Sequence, residues 1–105
     1  MGVRRSQRFR VNFPIKLFAV VHQRRCVLQG RSHDLSDAGM AIYIPAELQV
    51  GQIVQIEFIL PDSSQRLGVT AVVRDCSGFR CGVEFLSLTP TEQKAVADCC
   101  DRLAC

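Results

Sequence analysis

Apolar and polar residues alternate from Val11 onward, with Val11, Phe13, Ile15, Leu17, Ala19 and Val21 sharing one parity and Asn12, Pro14, Lys16 and His22 among the other. A period of two puts successive side chains on opposite faces of an extended chain, so this stretch predicts a half-buried strand. Gln23-Arg24-Arg25 reads as a polar turn, and Cys26 to His33 as a second strand, hairpinned to the first, in which Gly30 marks a bulge or a close approach. Asp34 to Gly39 is a turn of residues that bond their own backbone or tolerate positive φ. A short strand from Met40 to Ile44 follows and ends at Pro45.

After a connection from Ala46 to Gly51, the alternation resumes with Val54, Ile56, Phe58 and Leu60. Pro61-Asp62-Ser63-Ser64 is a turn, and Leu67 to Arg74 and Phe79 to Phe85 complete the strands, joined through Asp75-Cys76-Ser77-Gly78 as a tight hairpin. Beyond Leu88 the period changes. Thr89-Pro90-Thr91-Glu92 combines an N-cap, a proline at the first helical position and a glutamate three residues after the cap, which start a helix. Val96, Cys99, Cys100 and Leu103 then form its apolar face. Six short strands and one C-terminal helix predict an all-β, six-stranded antiparallel barrel, because closure removes the edges that an open sheet would expose.

The 105 residues, nearly half of them apolar, suit a single compact domain. We expect residues 10–88 to form the barrel, 89–104 the helix and 1–9 a flexible arginine-rich segment. No apolar run approaches the roughly 18 residues that span a bilayer, and no signal peptide is present, so a cytoplasmic protein without membrane insertion is expected. Met1-Gly2 opens the short pattern for N-myristoylation, which occurs by chance in many sequences. The six cysteines lack both a Cys-x-x-Cys pair and a secretory context, and with His22 and His33 they show no zinc spacing. Reduced thiols, no disulfide framework and no metal are the expectation.

The net charge of +3 is modest, but its distribution is not: Arg4, Arg5, Arg8 and Arg10 lie within seven residues, and most carboxylates lie after Asp34. One end of the molecule therefore carries a concentrated positive field. Arg4-Arg5-Ser6-Gln7-Arg8 supplies R-x-x-x-R before the first strand, and Asp34-Leu35-Ser36-Asp37-Ala38-Gly39 supplies D-x-S-x-x-G after the second. With Cys81-Gly82-Val83-Glu84-Phe85 before the helix, this order and separation resemble the PilZ domain family over nearly the whole chain, Arg4 to about Cys100. The resemblance implies a PilZ-type barrel that binds cyclic di-GMP, with the arginine motif wrapping the ligand. By position Arg4 and Arg8 correspond to the motif arginines, with Arg5 between them, and Asp34, Ser36 and Gly39 to the second motif.

The chemistry is sensible without the family. Cyclic di-GMP offers two phosphodiester anions and two guanine O6/N7 edges, and the arginine fork pairs bidentately with either and stacks on bases. Asp34 can accept from guanine N1 and N2 hydrogens, Ser36 can bond a base edge or phosphate, and Gly39 permits a close backbone approach. Each motif alone also has a structural reading, as a solvated tail and as a capped turn. Arg10 has the weaker claim, as a residue that can point away across the strand, and Arg74 reads as surface. No nucleophile elbow or phosphate-cradling glycine loop occurs, so a receptor with a downstream protein partner is expected, and no enzyme. A ligand-blind interaction barrel and a single-stranded nucleic-acid barrel are the alternatives. Retention of both motifs opposes the first, and the presence of only Phe9 and Phe13 as aromatics near the arginines opposes the second; DNA and RNA are not expected partners.

Overall fold

The structure is a computed structural model that describes residues 7–104. Six strands, β1 (Phe9–Val21), β2 (Arg24–Leu35), β3 (Gly39–Tyr43), β4 (Ile53–Ile59), β5 (Arg66–Ser77) and β6 (Arg80–Ser87), precede one helix, α1 (Pro90–Ala104). The strands close into an antiparallel barrel in the order β1-β2-β3-β6-β5-β4. This is the architecture read from the alternation.

The inward parity of β1 fills the barrel. Val11, Phe13, Ile15, Leu17 and Ala19 are buried and meet Leu35, Met40, Ile42, Val54, Ile56, Phe58, Val73 and Val83 from the other strands. Phe58 stacks between Phe13 and Phe85, with centroids 5.6 and 6.4 Å away, so aromatic packing runs across the core from β1 to β6. Gly30 is a close approach and not a bulge: a Cβ there would collide with the Tyr43 carbonyl and the Ile44 side chain. The bulge sits three residues later, at His33.

Three local readings shift. The first hairpin turns at His22-Gln23, both at positive φ (50° and 65°), so β2 starts at Arg24 and, of the polar run, only Gln23 lies in the turn. A two-residue loop with both φ positive matches the right-handed twist of its strands even with side chains that dislike the conformation. Asp34 and Leu35 belong to β2, and Asp75 to Ser77 belong to β5, leaving Gly78-Phe79 as the loop, with Gly78 at φ 62°.

The helix begins as its sequence dictates: the Thr89 N–H donates to Glu92 Oε1 (2.9 Å) and the Glu92 N–H to Thr89 Oγ1 (3.1 Å). Val96, Cys99 and Cys100 are buried, but Leu103 is 37% exposed and does not extend the apolar face. Arg102, one residue earlier, instead ties the last turn to Asp62. Burial alone would raise the Asp62 carboxyl, but hydrogen bonds from Arg102 and Cys99 outweigh it and hold the group below its ordinary value.

Candidate functional site

Two consecutive irregularities build one face of the barrel. Between β2 and β3, Ser32 pairs with Ile42 and Asp34 with Ala41, so His33 is an extra residue. Opposite it, β1 fits Val11 and Asn12 into the interval between Arg10↔Asp34 and Phe13↔Ser32. One extra residue reverses the in-out phase of everything after it. Ser32 and Leu35 both face the core, and Asp34, which regular alternation would have sent inward, is turned to the outer face. Buried Ser32 fastens this bend: its Oγ lies 2.9 Å from the Asp34 carbonyl and 3.3 Å from that of Ala41, with a single proton to donate.

Register then fixes what stands beside Asp34. Arg10, Asp34, Ala41, Gly82 and Asp75 form one row across five strands, and Arg31, Tyr43 and Arg80 form the neighbouring row on the same face. The result is a cleft of about 1010 Å³ lined by Arg8, Arg10, Val11, Asn12, His33, Asp34, Tyr43 and Arg80. A smaller recess of about 150 Å³, lined by Arg8, Asp34, Ala41, Asp75, Arg80 and Gly82, continues it toward β5. Three guanidinium groups against one carboxylate make the main cleft receptive to anions.

The hydrogen bonds separate engaged groups from available ones. Asp34 Oδ1 accepts from the Ala41 N–H (2.9 Å) and from Arg8 NH1 (3.0 Å), while Oδ2 has no bond among the described residues. Arg31 is held by Asn12 through Oδ1 (2.7 Å) and the carbonyl (3.3 Å). Arg10 and Arg80 have no ion-pair partner among the described residues, which leaves two guanidinium groups free at the cleft. The rings of His33 and Tyr43 meet edge to face at 4.0 Å, providing an aromatic pair on the same wall.

Of the residues singled out from sequence, Arg8 and Asp34 come together in the cleft, and Arg10 joins them on the outer face instead of pointing away. Arg4 and Arg5 lie outside the described residues. Ser36 is buried; its Oγ accepts from the Ala38 and Gly39 N–H groups, both at 3.1 Å, so its hydroxyl shapes the turn. Gly39 serves a close approach to β6: a Cβ there would collide with the Val83 carbonyl. Both residues stand behind the cleft wall, among neither cavity's lining residues. Arg74 pairs with Glu84 at 2.6 Å on the exposed sheet.

Sequence reasoning missed Arg80, Tyr43 and His33. Parity along β3 and β6 would have put Tyr43 and Arg80 outside, but only strand pairing carries them to Asp34. Of the two aromatics read as near the arginines, Phe13 is buried in the core. Among the described residues no group of His, Cys, Asp or Glu could hold a metal ion, and no helix is long and apolar enough to cross a membrane.

The described residues thus form a small closed barrel with a cationic cleft beside a bulged strand. The chain belongs to the PilZ domain family, whose pattern it matches over residues 3–102. Members of this family are receptor domains and not catalytic enzymes. No curated protein sequence matches the chain. Among solved structures it resembles the PilZ domain of CeSA from a cellulose synthesizing bacterium (TM-score 0.70, 20% identity, covering 95% of this chain and 100% of that one). It also resembles the PilZ domain of Escherichia coli YcgR with cyclic di-GMP (0.75, 22%, covering 98% and 92%). The Bacillus subtilis inhibitor of motility MotI/DgrA aligns at 0.76 and 18% identity over 97% of this chain and 51% of its own, so this chain spans about half of that protein. At these identities the likeness is one of fold.

Proposed function

We propose that this domain is a cyclic di-GMP receptor whose site is the cleft at Arg8, Arg10, Asp34 and Arg80, completed by Arg4 and Arg5. The observation that carries the reading is the convergence of three arginines from two distant strands and the segment before β1 on one outward-turned aspartate. Such a set suits a dianion with purine edges. Arg10 and Arg80 are free to fork onto phosphate or guanine O6/N7, the open Asp34 Oδ2 can accept from guanine N1 and N2, and Tyr43 offers a ring face. YcgR, a relative in fold, has a PilZ domain structure with cyclic di-GMP.

The domain acts in the cytoplasm and passes its bound state to a protein partner. The segment before Arg8 carries Arg4 and Arg5 but little apolar side chain to bury, so the ligand's phosphates supply the interactions that fix it. Arg8 and Phe9 are the hinge of this response: one is paired with Asp34 and the other is in register with Leu35. Amide hydrogen exchange with and without cyclic di-GMP tests the coupling. New protection is expected from Arg4 to Arg8 and around Asp34 to Gly39, with α1 unchanged. Full protection of Arg4 to Arg8 before ligand is added would show a preformed site and remove the proposed switch.

A further inference from the structure

Two thiols face each other at the hairpin that delivers Arg80. Cys76 on β5 and Cys81 on β6 are direct cross-strand partners. The Gly78-Phe79 loop is closed by Ser77↔Arg80, so the cysteines occupy the next position out. In a two-residue hairpin the closing pair is the hydrogen-bonded one, which puts the cysteines at the narrow, non-bonded pair with Cα atoms about 4.5 Å apart. That separation lies within the range a disulfide bridges without backbone movement. Directly opposed residues of neighbouring strands share a face, so the two thiols lie on the same side of the hairpin.

We propose that Cys76 and Cys81 form a thiol–disulfide couple, a site of reversible oxidation by low-molecular-weight disulfides. Cys76 is half-buried and Cys81 is fully buried, so the oxidant meets Cys76 first. The Cys76 thiolate attacks one sulfur of R–S–S–R, forming a mixed disulfide and releasing one thiolate. Cys81 then loses its proton and attacks the Cys76 sulfur, expelling the second thiolate. In sum two protein thiols and one R–S–S–R give one protein disulfide and two R–SH: two electrons pass to the oxidant, and both thiol protons end on the released thiols.

The assignment of roles follows from the burial. Burial first, and then the neighbouring Cys76 and Asp75, push the Cys81 thiol up to about 12, which makes it a poor first nucleophile. Held opposite the mixed disulfide, it becomes the resolving group. An uncharged disulfide suits this apolar position better than a thiolate does. The bridge would staple the hairpin that supplies Asp75, Arg80 and Gly82 to the recess beside the cleft.

The test is a peptide map of the full chain, reduced, exposed to oxidised glutathione, alkylated and digested with trypsin. Cleavage after Arg74, Arg80 and Lys94 separates the two cysteines onto different peptides. Most of the chain is expected to yield those two peptides joined, lighter by two hydrogens, with Cys26, Cys99 and Cys100 alkylated. Cys81→Ser should stop the reaction at Cys76 bound to glutathione; should that buried substitution unfold the chain, Cys76→Ser, at a half-buried position, should leave Cys81 free of glutathione. A Cys76 that remains glutathionylated beside an alkylated Cys81, or that pairs with another cysteine, would overturn the proposal. No nucleotide enters the experiment, so its outcome is independent of the ligand reading.

Discussion

Removing the Asp34 carboxylate should destabilise the barrel more than removing its ionic partner. Asp34 has two bonds on Oδ1, and they differ in strength. The pair with Arg8 joins a side chain 56% exposed to one 18% exposed, and ion pairs with such solvent access contribute about 0.2–1 kcal/mol. The bond from the Ala41 N–H is different, because it satisfies a backbone donor on a buried strand residue at the bulge where the β2–β3 ladder is interrupted. A hydrogen bond to a charged acceptor contributes about 1.5–3 kcal/mol, and an abandoned buried donor costs a similar amount. Asp34→Ala should therefore cost about 2–3 kcal/mol, Arg8→Ala less than about 1 kcal/mol, and Asp34→Asn, which keeps an acceptor for Ala41, an intermediate amount. For a domain of this size the first loss corresponds to a fall in Tm of roughly 8–20 °C. Urea unfolding of the three variants, followed by circular dichroism at constant m, reads these differences. Equal losses for Arg8→Ala and Asp34→Ala would refute the reasoning, since the ion pair would then account for the whole effect.

Two further outcomes follow from local structure. Burial raises the Cys81 thiol to about 12 and the Cys99 and Cys100 thiols to about 11, against an ordinary 9.0; a raised folded value means stability is complete below about pH 9 and is lost as pH climbs toward 11–12. Each thiol should forfeit about 1 kcal/mol by pH 10, so the urea midpoint should fall between pH 8 and pH 10, and a flat profile would mean the thiols are not buried in solution. Gln23→Gly should stabilise the chain by about 0.5–1 kcal/mol in the same assay, because the left-handed conformation at φ 65° costs a side chain more than glycine loses in the unfolded state; a loss of stability would contradict the turn geometry.

How far the sequence could be read depended on whether a feature was periodic. The alternation in β1 and the Thr89–Glu92 capping box are local patterns whose physics is complete within a few residues, and the barrel and helix start follow from them. The bulge at His33 is a single added residue, invisible in a period of two because Ser32, His33 and Asp34 all read as polar; it depends on β3 and on the Ser32 hydroxyl. The residues of the D-x-S-x-x-G motif take different positions: Asp34 faces the cleft, Ser36 closes the turn and Gly39 admits β6. Arg80 and Tyr43 carried no motif, since their position beside Asp34 arises from pairing of β3 with both β2 and β6. Leu103 kept the helical period, yet the helix reaches the end of its packing surface one turn earlier, at Cys100.

The central claim is that the cleft reads guanine and phosphate together, and isothermal titration of the full chain with cyclic di-GMP and cyclic di-AMP tests it most directly. Cyclic di-GMP should bind with a micromolar or lower Kd, about −8 kcal/mol or better. Cyclic di-AMP should bind far more weakly, because its N6 donor replaces the O6 acceptor and leaves an arginine fork unpaired. Arg8→Ala should abolish measurable binding, and Arg80→Ala should weaken it by at least about tenfold, the loss of one charged fork. Equal heats for the two dinucleotides, or unchanged binding in both arginine variants, would contradict the account and move the site elsewhere on the barrel.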